Sequence, residues 1–384
     1  MSAQAAIEIL DKLVSFDTTS RNSNLPIIDY IEDYLGQQGV ESHRVPDETG
    51  EYASLHATIG PDGQPGVGLS GHTDVVPVDG QDWDTDPFTL TEKDGKLYGR
   101  GACDMKGYLA CVMAAVPDLK KRDLKVPMHI LFSYDEEVGC TGVRPMIDEF
   151  GDRFVKPRMV FVGEPTNMTV VDAHKGPVRW GVTLTGRPAH SSMAPLGVNT
   201  ISYAAELLAE LRVMEEELKK APYDDRFDPP YTTLQVTEIN GGAASNIVPA
   251  ETWFGWEIRG MPGLDPDVVE ARFRKKADEV LAVMRETAPE ANIEIKRWNH
   301  VPSFAADPES ELLPLALRLA EQNETYAVSY ATEASLFHAA GASSIICGPG
   351  DIAQAHTPNE WIDKRELDKC MAFLGRLGDW SEQQ

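Results

Sequence analysis

Residues 127–134 read PMHILFSY and run directly into Asp135-Glu136-Glu137. A short apolar run closed by charged residues predicts a buried strand. Residues 158–162, RMVFV, repeat the pattern and stop at Gly163-Glu164-Pro165. Upstream, strands are predicted over 53–59 and 66–70, the second running into Gly71-His72-Thr73-Asp74. The apolar, Ala-rich stretch 105–116 predicts a buried helix. Strand–helix–strand alternation of this kind predicts an α/β domain with a mostly parallel sheet. Open sheets of that class place their sites beyond the C-terminal ends of the strands. His72, Asp74, Glu136, Glu137 and Glu164 all fall there.

Working outward, two amphipathic helices precede these strands. One carries Ile7, Leu10, Leu13 and Val14, the other Ile27, Ile28, Ile31 and Leu35. Past residue 176 the pattern changes. Residues 178–185, VRWGVTLT, alternate as a half-exposed strand. A helix over about 198–219, strands near 232–239 and 251–258, a helix over 265–285 and a strand over 292–298 follow. This β-α-β-β-α-β order is that of a ferredoxin-like α+β insert. The Pro- and Asp-rich stretch 221–231 reads as a loop within it. After 300 the α/β pattern returns, with a helix near 309–322, a strand near 343–347 and a helix from Lys364. The expected organisation is a discontinuous α/β domain, 1–177 and 299–384, interrupted by a smaller α+β domain, 178–298.

The 384 residues are 42% hydrophobic and 25% charged, a globular profile. The formal net charge of −26 argues against nucleic acid and anionic membrane surfaces as partners. The five cysteines are odd in number and lack CxxC spacing, as suits a reducing cytoplasm. The N-terminal residues show no signal-peptide pattern, and no stretch has the length of a membrane helix. A cytoplasmic protein is expected.

His72, Asp104, Glu137, Glu164 and His356 are the nitrogen and oxygen donors that zinc and similar ions take. Each alone has a plainer reading: Asp104, before an apolar helix, reads by itself as an N-cap. Together they supply enough ligands for two divalent ions sharing one carboxylate. Asp74, two residues past His72, would accept the proton of the other ring nitrogen. Glu136 and Glu137 point in different directions, so one can bind metal and the other serve as base. Cys103 and Cys140 read as packing residues.

The segments SGHTDVVP (70–77), YGRGACDMKG (98–107), SYDEEVGCTG (133–142), VGEPT (162–166), GRPAHSS (186–192), GGAASNIVP (241–249) and CGPGDIAQAHTPNEWI (347–362) resemble, in order and spacing, those of M20-type dinuclear metallohydrolases. The resemblance covers nearly the whole chain. It implies one metal held by His72, Asp104 and Glu164 and another by Asp104, Glu137 and His356, with zinc or cobalt as the ions. It implies that Asp74 orients His72 and that Glu136 is the general base and later the acid. It also implies a cis peptide after Asp104. The resemblance makes 1–177 and 299–384 the metal-binding catalytic domain and 178–298 a lid and dimerisation domain. From it His190 would stabilise the oxyanion of a partner subunit in a homodimer, while Asn246 and Arg259 would bind the substrate carboxylate or help close the site. Within the family the chain looks most like the branch that removes acetyl from N2-acetyl-L-ornithine, a step of arginine biosynthesis. Desuccinylases of N-succinyl-diaminopimelate, aminoacylases and dipeptidases remain alternatives, as does a binding protein without catalysis. Glu333 is open between two roles, pairing with a cationic substrate side chain and capping the following helix.

Overall fold

The structure is a computed structural model that describes residues 3–384. In chain order the elements are α1 (Ala3–Val14), α2 (Leu25–Gln37), β1 (Ser42–Pro46), β2 (Ala53–Ile59), β3 (Val67–His72), β4 (Thr91–Lys93), β5 (Lys96–Tyr98), α3 (Lys106–Leu119), β6 (Met128–Ser133), α4 (Val143–Asp148), β7 (Met159–Pro165), β8 (Val171–His174) and β9 (Gly176–Thr185). There follow α5 (Thr200–Leu218), β10 (Thr233–Gly241), β11 (Glu251–Gly260), α6 (Pro266–Thr287), β12 (Asn292–His300), β13 (Phe304–Ala305), α7 (Leu312–Ala320), β14 (Tyr326–Val328), α8 (Ala334–Ala339), β15 (Ser343–Gly348), β16 (Trp361–Asp363) and α9 (Lys364–Glu382). The chain divides into two compact units. The first comprises the residues up to Ala173, Ala305–Tyr326 and Thr332–Gln384; the second comprises His174–Phe304 and Ala327–Ala331.

The first unit is built on a sheet with the order β1-β2-β6-β3-β7-β15-β8-β13. Its central strands β6, β3, β7 and β15 run parallel, and β1 and β2 add antiparallel strands at one side. β3 and β6 are buried at every position, which explains their unbroken apolar character. α3 is buried on all sides from Lys106 to Val116 and lies against this sheet without the room a side chain would need. A Cβ at Gly163 would sit 2.1 Å from Cδ1 of the Tyr108 ring, and one at Gly71 would sit 2.7 Å from Met105 Cε. Glycine is required there by contact, not by backbone angle.

The second unit is an antiparallel sheet of order β10-β11-β9-β12 with α5 and α6 packed on it. This is the β-α-β-β-α-β arrangement. Val178, Trp180, Val182 and Leu184 of β9 enter the core, and the residues between them do not, as the period of two requires. Trp180 stacks on Trp256 with centroids 4.1 Å apart.

The sequence reading omits the hairpin β4–β5. Its strands have three residues each, too short for periodicity to register. The signal it carries is Asp94-Gly95, both with positive φ, as a two-residue hairpin turn demands.

Between β2 and β6, in the first unit, His56 and His129 are almost fully buried, with ring centroids 5.6 Å apart. Burial holds His56 down to about 3 and His129 down to about 4. Both therefore stay neutral in the fold at pH values where the unfolded chain protonates them. Stability from this pair is complete above the ordinary value of 6.5 and is lost as pH falls toward 4. His56 already stacks on Phe154 at 4.2 Å, so a phenyl ring suits its place. In urea titrations between pH 7.5 and 4.5, His56→Phe is expected to lose less stability on acidification than the parent. Parallel curves would refute the assignment.

Candidate metal centre

His72 ends β3, and its imidazole is 1% exposed. Nδ1 lies 2.9 Å from the Asp74 backbone oxygen and 3.5 Å from Asp74 Oδ1. In the neutral ring Nδ1 therefore carries the proton and Nε2 the lone pair, the form a metal needs. Nε2 lies 3.1 Å from Asp104 Oδ1 and 3.7 Å from Glu164 Oε1.

The closest contact to Nδ1 is thus the Asp74 carbonyl, where the sequence reading expects the carboxylate. That carboxylate has other partners. Oδ1 accepts the Glu136 N–H at 3.1 Å, and Oδ2 accepts the Glu137 N–H at 3.3 Å and the Ser20 hydroxyl at 2.7 Å. Asp74 thereby ties the end of β3 to the paired glutamates after β6.

Asp104 does not cap α3. Met105 occupies the cap position, without a side-chain cap bond, and the Asp104–Met105 peptide is cis. The Asp104 carboxylate is split between two histidines. Oδ1 faces His72, and Oδ2 lies 3.3 Å from His356 Nε2. His356 Nε2 is also 3.0 Å from Glu137 Oε2. His356 sits in the loop after β15 with φ of 62°, a left-handed conformation uncommon for a side chain of its size. Ligand atoms of His72, Glu136 and Glu164 lie within 4.8 Å of one another, as do those of His72, Asp104 and Glu137. The seven residues His72, Asp74, Asp104, Glu136, Glu137, Glu164 and His356 therefore form one cluster at the C-terminal side of the parallel strands.

The electrostatics of this cluster call for cations. Burial, reinforced by neighbouring carboxylates, pushes Glu136 and Glu164 well above the usual range and Glu137 to about 7. Asp104 goes the other way: burial pushes it up, but hydrogen bonds from His356 and His72 outweigh that and hold it low. The same contacts, to Asp104 and Glu137, raise His356 to about 10. Carboxylates this close stay ionised together only beside positive charge. Two imidazoles and four carboxylates form a donor set that suits a pair of divalent ions of the zinc type.

Glu333 lies behind the cluster, 1% exposed. It makes no cap bond to α8. Its oxygens accept the hydroxyls of Ser133 at 2.6 Å and Ser70 at 3.1 Å. The capping alternative is thereby corrected: hydroxyls from two strands take the carboxylate.

His190, Asn246 and Arg259 belong to the second unit. The segments around His190 and Asn246 are paired, with Ser191 N–H donating to the Asn246 carbonyl at 2.9 Å. His190 is exposed, and its Nδ1 accepts the Ser192 N–H at 3.2 Å. The neutral ring then carries its proton on Nε2, which makes that atom a donor. Arg259 lies on β11, with Nε 3.4 Å from Glu257 Oε1.

Cys140, read from the sequence as a packing residue, also donates its thiol to Glu136 Oε1 at 3.3 Å. Two further residues escape the sequence reading. Arg100 and Glu360 form an ion pair of 2.8 Å, each 1% exposed. Both stand inside the quoted motifs, beside more conspicuous ligands.

Comparison with known proteins agrees with this geometry. The profile described as peptidase family M20/M25/M40 matches residues 68–379. An acetylornithine deacetylase of Myxococcus xanthus is 36% identical over 372 residues, 96% of this chain and 95% of that protein. Another, of Proteus mirabilis (strain HI4320), is 33% identical over 365 residues, 94% and 91% of the two chains. Among solved structures, an M20 family metallo-carboxypeptidase of Sulfolobus solfataricus superposes with a TM-score of 0.79 at 20% identity, covering 99% of each chain.

Proposed function

The chain belongs to peptidase family M20/M25/M40, hydrolases of amide bonds, and on that premise we propose that it removes acetyl from N2-acetyl-L-ornithine to give L-ornithine and acetate. Similarity over nearly the full length to two acetylornithine deacetylases supports the substrate. The observation that carries the chemistry is the Asp104 carboxylate, with one oxygen toward each histidine.

His72, Asp104 and Glu164 would hold one divalent cation and Asp104, Glu137 and His356 the other, with zinc the first candidate and cobalt the second. Bound there, the pair supplies Lewis acidity that polarises the amide carbonyl and acidifies water. Glu136 takes the proton from the attacking water and returns it to the leaving amine. The Cys140 thiol occupies Glu136 Oε1, leaving the other oxygen for this transfer. Asp74 holds the backbone of Glu136 in place. Glu333 enters as a buried carboxyl near His72 and Glu136, its oxygens taken by serines.

The reading includes a homodimer formed through the second unit. There the partner subunit's His190 would donate Nε2–H to the oxyanion, with Asn246 and Arg259 serving the substrate carboxylate. A place in cytoplasmic arginine biosynthesis fits the reaction. Among the described residues no helix is long and apolar enough to cross a membrane.

The test is amine release by purified protein from N2-acetyl-L-ornithine, N-succinyl-diaminopimelate and a set of N-acetyl amino acids. Each is assayed after chelation and again after adding zinc or cobalt. The expected result is that cleavage of acetyl-ornithine exceeds the others, is abolished by chelation and returns with metal. Restored cleavage of another substrate alone would discard the substrate and keep the chemistry.

A further inference from the structure

The turn that carries Asp104 and the loop that carries His356 are far apart in sequence, yet one carboxylate joins them. Glu360 is 1% exposed. Its Oε1 accepts the backbone N–H of Cys103 at 2.8 Å and of Asp104 at 3.0 Å. Its Oε2 accepts the N–H of Gly101 at 3.0 Å and Arg100 Nη1 at 2.8 Å. Four donors from one turn therefore converge on a single side chain. Arg100 carries the constraint back to the other loop. Its Nη1 lies 3.4 Å from the Thr357 carbonyl, and its Nη2 donates to Gln81 Oε1 at 2.5 Å. The Gln81 amide in turn donates to the His356 carbonyl at 3.1 Å.

Burying a carboxylate and a guanidinium is costly before their attraction is counted, and apolar side chains often stabilise such places as well. This pair does what apolar packing cannot. It fixes the direction of three N–H groups of one turn, those of Gly101, Cys103 and Asp104, and so the backbone from which the Asp104 side chain projects. Second-layer partners of this kind set ligand orientation and metal affinity.

We infer that Glu360 is a positioning residue for the metal pair, fixing the Asp104 carboxylate relative to the His356 imidazole. The inference rests on Asp104 and His356 being ligands, as proposed above. It extends that reading from the residues that would touch metal to the one that places them.

The test is cobalt titration of chelator-stripped, full-length protein, followed by the visible absorption of bound cobalt, with thermal unfolding measured in parallel. Parent protein is expected to take up two equivalents, and Asp104→Asn fewer. Glu360→Gln keeps the shape but turns an amide N–H toward backbone N–H groups. It is expected to weaken cobalt binding about 10- to 100-fold, the range for such partners, and to alter the cobalt spectrum. At saturating cobalt, kcat should fall with KM little changed. Gln81→Leu, at a partly exposed position, leaves Glu360 and its backbone partners in place but removes the Gln81 bonds to Arg100, Trp83 and the His356 carbonyl. It should weaken the second equivalent at least about threefold, below the full effect. A folded Glu360→Gln protein with parental affinity and spectrum overturns the inference. If that variant does not fold, parental binding by Gln81→Leu overturns it. Uptake of fewer than two equivalents by the parent, or parental binding by Asp104→Asn, overturns the ligand assignment and removes the inference with it.

Discussion

Replacing Glu136 by Gln will leave both cations bound and lower turnover at least ~10²-fold, the lower range for a general base. The two halves of this result have separate causes. In the proposed ligand sets Glu136 belongs to neither metal, so its loss leaves His72, Asp104, Glu164, Glu137 and His356 in place. The amide has nearly the same volume, can still receive the Cys140 thiol on its oxygen, and leaves the backbone bond to Asp74 untouched. What it cannot do is accept a proton from water and hand it to an amine. The measurement pairs metal content by atomic absorption with kcat on N2-acetyl-L-ornithine. Retained activity would remove Glu136 from the mechanism. Lost metal would instead make it a ligand, the alternative that its closeness to His72 and Glu164 keeps in view.

Asp104→Asn should have an equally large effect of a different kind. The two carboxylate oxygens face different histidines, and a carboxamide keeps an acceptor on only one side. Its NH2 group would point at one imidazole and at the ion beside it. Loss of a shared anionic ligand should exceed the roughly 10- to 100-fold cost of an outer partner. Binding of at least one equivalent is therefore expected to weaken more than 100-fold, with activity falling in step. Calorimetric titration of the chelator-stripped variant measures this directly. Two equivalents bound at parental affinity would show that Asp104 does not bridge.

The parts of the fold that were legible in the sequence are those where burial leaves a periodic trace. The runs at 127–134 and 158–162 have no exposed face because β6 and β7 are buried at every position, and β9 alternates because only one side meets the second unit's core. The ligands were legible because charged residues directly after such runs have few structural reasons to be there. Asp74 was legible as a site residue but not in its bonding, since a carboxylate near a histidine does not reveal that backbone N–H groups compete for it. Glu360 left no trace, because its partners are main-chain groups of a turn more than 250 residues earlier. Hairpin β4–β5 was missed for the opposite reason. Its information lies in a dipeptide and not in a pattern.

The contact between Tyr108 and Gly163 adds a consequence for how the centre keeps its dimensions. Asp104 precedes α3 by two residues, and Glu164 follows Gly163 directly in β7, so the helix-to-strand distance also sets the gap between two acids. That distance is a van der Waals stop: ring against bare backbone, with nothing in between to compress. Charge, pH and ionic strength act weakly on such a stop, whereas a single added methyl acts on it at full strength. The centre is therefore gauged by an omission in the sequence, and its width is cut before any ion arrives.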